Sequence, residues 1–150
     1  MAPFTSHMQA ALDEAEAAAA RGEAPIGAVI ANSAGEVIAA AGNRTRELND
    51  PTAHAEILAI RAACAALNAE RLPGFDLYVT LEPCPMCAGA ISHARIARLY
   101  YAAPDPKGGG VDNGAKVFDH PTCHHRPEVI SGMREADASR LLRAFFKERR

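Results

Sequence analysis

Residues 51–60 read PTAHAEILAI. From Ile57 onward the stretch has the pattern of a buried helix, yet His54 and Glu56 stand where such a helix would carry alanine or leucine. Asp50 is a suitable N-cap and Pro51 suits a first helical position, so the sequence predicts a helix over 51–67 with Ile57, Leu58 and Ile60 in the core. Positions i and i+2 of a helix lie roughly 200° apart and share no face. His54 and Glu56 can therefore converge only on something beyond the helix end.

Outward from this helix, other elements alternate. Phe4, Met8, Ala11, Leu12 and Ala15 recur at helical spacing, with Gly22 as a stop. An apolar strand at 26–31, the turn Asn32-Ser33-Ala34-Gly35 and a strand at 37–41 form a predicted hairpin. Pro73-Gly74 breaks the chain before a strand at 77–81, and Pro85 opens a short helix to about His93. A strand over 96–102, a short one near Val129 and Ile130, and an amphipathic helix over 136–147 complete the chain. Strands alternating with helices predict a three-layer α/β sheet.

The chain has 150 residues, 49% of them apolar, which suits one folded domain over 1–150. No apolar run approaches the roughly 20 residues that span a bilayer. The first residues lack a basic n-region and carry acids where a signal peptide is apolar, which points to the cytoplasm and to no membrane. A formal net charge of −2 argues against non-specific nucleic-acid coating, although KERR at 147–150 forms a local basic patch. The same tail also suits a solvated helix end. The glycine-rich stretch PDPKGGGVDNGAK at 104–116 lacks the Walker spacing and reads as a flexible connection.

Four cysteines, at 64, 84, 87 and 123, do not make a disulfide framework. Cys84-Pro85-Met86-Cys87 is a CxxC at a helix mouth, where the helix N-terminus favours thiolates. Such a pair can be a redox dithiol or part of a zinc site. Two ligand sets could complete the latter. His120, Cys123, His124 or His125, in HPTCHH, would close a structural four-ligand site; His54 alone would leave an open, catalytic one. Glu56 favours the open site, because a hydrolytic centre needs a base to take and return a proton.

His54-Ala55-Glu56 followed by Pro83-Cys84-Pro85-Met86-Cys87 matches the zinc deaminase signature H-x-E…P-C-x-x-C. PIGAVI, GNR, NDPTAHAEILAIR, RLPGFDLYVTLEPCPMCAGAISHARI, DPKGG and LLRAFFKERR extend the likeness from about Phe4 to Arg150. The whole text resembles the family of bacterial tRNA-specific adenosine deaminases. That resemblance implies a cytidine deaminase-like α/β/α sandwich around a mixed five-stranded sheet. It implies one Zn2+ per subunit, held by His54, Cys84 and Cys87, with Glu56 shuttling protons from water to the adenine ring nitrogen and the leaving ammonia. Backbone N–H groups around Cys84 would steady the developing oxygen.

The implied substrate is the wobble adenosine of a tRNA anticodon stem-loop, whose bases are splayed out and need no melting. Asn43 matches an asparagine that hydrogen-bonds the purine, and Ala55 and Pro83 carry over as substrate-binding positions. Asp105 and Lys107 match positions touching neighbouring nucleotides. Phe146, Lys147, Arg149 and Arg150 match a helix contacting the stem-loop, Phe145 fits a core position, and His120 is the member of HPTCHH retained for substrate. The family is homodimeric. A free-base deaminase acting on guanine or cytosine by the same zinc chemistry is the alternative.

Overall fold

The computed structural model describes residues 4–148. Strand β1 (Gly27–Ala31), of sequence GAVIA, is buried along its whole length and must be covered on both faces. Its side chains alternate between two cores, Ala28 and Ile30 in one and Val29 in the other. β3 (Asp76–Leu81) and β4 (Arg98–Ala103) repeat the division, with Leu77, Val79, Leu99 and Tyr101 against Tyr78, Tyr100 and Ala102. Helices α2 (Ala55–Leu67) and α3 (Pro85–Ala94) cover the first core; α1 (Met8–Ala20) and α4 (Glu135–Glu148) cover the second. The result is a three-layer α/β/α sandwich.

The sheet has the order β2-β1-β3-β4-β5, with β2 (Val37–Gly42) and β5 (Glu128–Ser131) at its edges. β1 runs antiparallel to β2 and β3, whereas β3, β4 and β5 are parallel. Since β2 and β3 both oppose β1, the carboxyl ends of β2, β3 and β4 share one edge. Loops leaving such an edge, where strand direction switches, are where α/β sheets collect ligands.

The expected elements are present, with shifted boundaries. Helix α2 begins at Ala55, four residues beyond Pro51. The Asp50 carboxylate accepts bonds from the Thr52 N–H at 2.8 Å and hydroxyl at 2.7 Å, which closes a local turn rather than capping the helix. Its buried face consists of Ala55, Glu56, Ala59 and Ala63, so Ile57, Leu58 and Ile60 are only half-buried. Phe4 precedes α1 and is exposed beside the Tyr100 ring, and β4 starts two residues later than expected because the Ala97 N–H bonds Phe75. A single 3-10 turn, Val117–Asp119, had no signal in the sequence and buries Phe118.

Candidate metal centre and active site

Helices α2 and α3 both start on a residue that could ligate a metal. His54 and Cys84 are their N-cap residues, both extended (φ −73°, ψ 152° and φ −70°, ψ 170°), and neither makes a side-chain cap hydrogen bond. An N-cap side chain usually satisfies an orphan amide of its helix. These two turn toward each other instead. His54 Nδ1 lies 3.6 Å from Cys84 Sγ and 3.4 Å from Cys87 Sγ. Cys84 and Cys87, three residues apart, are neighbours on one helix face.

The donor set fits zinc. Zn–S bonds of about 2.3 Å and Zn–N bonds of about 2.0–2.1 Å, arranged tetrahedrally, require sulfur–nitrogen separations of about 3.5 Å. Both observed separations match. Among the described residues, His54, Cys84 and Cys87 form the single group of three histidine, cysteine or acidic ligands whose atoms lie within 4.8 Å of one another. Without a cation the two thiols divide their roles. The Cys87 S–H bonds Cys84, which brings the Cys84 thiol down to about 4 despite partial burial. That same bond, together with burial, pushes the Cys87 thiol far up. Both can be thiolates only with positive charge between them.

HPTCHH is used otherwise. Cys123 Sγ bonds the His125 carbonyl at 3.2 Å, and the His125 ring bonds the Ile96 carbonyl at 2.7 Å. His120 is exposed, its ring bonded to the Ala115 carbonyl at 2.8 Å. The stretch tethers a loop and supplies no ligand to the Cys84–Cys87 pair.

Glu56, the second residue of α2, is 4% exposed. Burial pushes its carboxyl up to about 7, offset only in part by its own backbone N–H and the His54 imidazole. A carboxyl titrating near neutrality can both take and return a proton. Hydrogen bonding to Cys84 raises the His54 pKa.

Asn43 is buried just past β2, with its N–H on the Ile26 carbonyl and its side-chain amide donating to the Thr45 hydroxyl at 3.3 Å. The Arg44 N–H bonds the Ala53 carbonyl, which ties this segment to the residue before His54. Ala55 and Pro83, adjacent in sequence to His54 and Cys84, are buried. Asp105 and Lys107, from the loop after β4, meet Phe146 of α4 in a groove of about 520 Å³ completed by Ala24, Ile26 and Leu81. Phe146 is 51% exposed, whereas Phe145 is buried. Arg149 lies outside the described residues.

Two further acids, Glu23 and Glu82, are buried. Glu23 accepts the Arg46 and Glu47 N–H groups at 3.2 and 2.8 Å, holding the loop that carries Asn43. Glu82, directly before Pro83-Cys84, accepts bonds from the backbone of residues 105 and 111–113. Burial alone would raise its pKa, but these donors outweigh it and the carboxyl is lowered. The 104–116 segment is therefore pinned and not a flexible connection. An acid inside LEPC, between an apolar strand and the CxxC, was the available signal.

Residues 2–103 match the family model of the cytidine and deoxycytidylate deaminase zinc-binding region. The chain is 62% identical to a tRNA-specific adenosine deaminase of Agrobacterium fabrum, over 100% of this chain and 98% of that protein. A structure solved in a study of A-to-I editing by tRNA:A34 deaminases at the wobble position superposes with a TM-score of 0.89 and 61% identity, covering 92% of this chain and 100% of that one. A guanine deaminase from Bacillus subtilis is more distant, at 34% identity and a TM-score of 0.65 over 97% of this chain and 94% of its own.

Proposed function

The chain belongs to the cytidine and deoxycytidylate deaminase family, and we propose that it hydrolytically deaminates adenosine to inosine at the wobble position of a tRNA anticodon loop. The observation that carries the chemistry is the convergence of His54, Cys84 and Cys87 at two helix ends with Glu56 buried beside them. These three residues would hold one zinc per subunit, and zinc, when bound, lowers the pKa of a water at its open position toward about 7. Glu56 takes a proton from water and passes it to the adenine ring nitrogen. Oxygen adds to C6 as N1 gains that proton. Glu56 then carries the second proton from the new C6 hydroxyl to the amino group, so that the C6–N bond breaks, ammonia leaves and C6 becomes the carbonyl of inosine. Buried Asn43 holds the purine, while Ala55 and Pro83 wall the pocket.

RNA rather than a free base is supported by the groove that Asp105, Lys107 and Phe146 share. It combines an exposed ring on which a base can stack with a cation for phosphate, and Arg143 and Lys147 extend the cationic side along α4. Arg149 and His120 are assigned to substrate contact. Half-buried Ile57 and Leu58 and exposed Met86 leave apolar surface on α2 and α3 that a second copy would cover, in keeping with a homodimer. No helix among the described residues is long and apolar enough to cross a membrane. We assign the enzyme to the cytoplasm, where its substrate is found.

The test is to offer the zinc-loaded chain an anticodon stem-loop carrying a wobble adenosine and, separately, free guanine, cytosine and adenosine. Inosine in the RNA is expected. Ammonia released from guanine or cytosine, with the RNA untouched, would favour the free-base alternative.

A further inference from the structure

Glu82 is 2% exposed and sits between the last residue of β3 and Pro83-Cys84. A buried carboxylate in this position needs partners, and it has five donors from one loop. Oε1 accepts the Asp105 N–H at 3.0 Å and the Asn113 side-chain amide at 2.7 Å. Oε2 accepts the N–H groups of Val111, Asp112 and Asn113 at 3.1, 2.9 and 3.0 Å. One side chain thus gathers both ends of a nine-residue span onto the strand that delivers Cys84.

The loop is shaped for this contact. A Cβ at Gly109 would stand 2.5 Å from Glu82 Oε2 and 2.6 Å from the Asp105 carbonyl. A Cβ at Gly110 would stand 2.6 Å from the nitrogen of Pro85, at the mouth of α3, and the Gly110 N–H bonds the Pro83 carbonyl at 2.8 Å. The glycines are required for close approach rather than for mobility. From the same loop, the Asp105 carboxylate accepts the N–H groups of Lys107 and Gly108, which fixes the turn presenting Lys107 to the groove.

We propose that Glu82 is a positioning residue, a carboxylate clamp that sets the distance between the metal-ligating end of α3 and the loop carrying Asp105 and Lys107 to the substrate. The inference rests on the RNA deaminase reading above. One side chain that touches neither the metal nor the RNA thus holds substrate specificity and metal centre in register.

Glu82→Gln discriminates, because it keeps the volume but turns one oxygen into a donor. Whichever way the amide lies, two or three of the five bonds become donor–donor contacts. A loop released by this change should raise the KM for the stem-loop by about tenfold or more, since misplacement of about 1 Å at a binding group is costly. We expect kcat within about threefold of wild type, zinc still bound, and faster amide exchange at residues 105 and 111–113. Gly109→Ala pushes the loop off the same oxygen and carries the same expectation should Glu82→Gln not fold. Loss of kcat at unchanged KM, loss of zinc in both variants, or wild-type values throughout would overturn the clamp. A wild-type chain inactive on RNA would instead remove the deaminase reading, while amide exchange would still report on the clamp.

Discussion

His54 Nδ1 and Cys84 Sγ stand 3.6 Å apart, each projecting from the N-cap of its own helix and neither capping it. Two helix N-termini aimed at one point favour anionic ligands there. A neutral or cationic donor set would gain nothing from that field. The pairing explains why the α2 histidine is joined by thiolates and not by further histidines.

Glu56 is assigned to proton transfer and not to metal binding. Glu56→Gln should keep its zinc and its fold while inosine formation falls by about 10²–10⁴-fold or more, the range of general acid–base catalysis. Zinc content by atomic absorption, alongside the rate, separates the two roles. Zinc lost along with activity would make Glu56 a ligand.

Metal removal should act on His54, Cys84 and Cys87 together. Cys87→Ala is expected to abolish zinc binding and to lower the melting temperature of the purified protein to that of the chelated wild type, because a metal bound only by the native state stabilises it. Cys123→Ser combined with His124→Ala should leave zinc content unchanged. If that double variant lost its metal, the closed four-ligand site would be restored as the better description.

Burial of Glu56 predicts a pH dependence in the metal-free chain. Its carboxyl is raised from 4.5 to about 7 on folding, so between those values the native state holds a proton that the unfolded state has released. Stability contributed by this group is present below 4.5 and lost as pH rises through about 7, a cost of about 3 kcal/mol at full ionisation. Glutamine mimics the protonated form. The melting temperature of metal-free Glu56→Gln should therefore exceed that of metal-free wild type by a margin that grows from pH 5 to pH 7 and then levels off. A margin independent of pH would show that the carboxyl ionises alike in both states.

The groove predicts separable contributions to RNA binding. Phe146→Ala should weaken stem-loop binding by about 1–3 kcal/mol, the usual worth of a base stacked on an aromatic ring. Its melting temperature should change little, because the ring is 51% exposed. Lys107→Ala should weaken binding across sequences and reduce the salt slope by about 1, as loss of one phosphate contact does. Binding isotherms at several salt concentrations, in a Glu56→Gln background that cannot turn over, measure both. An unchanged salt slope would place Lys107 away from phosphate.

The alternation of elements and the convergence of His54, Cys84 and Cys87, with Glu56 buried beside them, were legible in the sequence because each leaves a local mark. Period-2 and helical spacing report burial, and H-x-E with P-C-x-x-C reports chemistry that tolerates few other residue types. The i, i+2 spacing of His54 and Glu56 also located their meeting point beyond the helix end. What had no local mark was decided by tertiary contacts. Whether His54 or HPTCHH would reach the cysteines depended on the antiparallel β1, which brings the carboxyl ends of β2 and β3 to one edge. The start of α2 moved because the Asp50 side chain found a closer partner in Thr52. Ala55, Ala59 and Ala63 are buried while Ile57 and Ile60 are only half-buried, because small residues let the helix lie close on the sheet. Glu82 shows the limit most plainly: its five donors lie 23 to 31 residues away in sequence, and only the folded chain brings a buried charge to amides that distant.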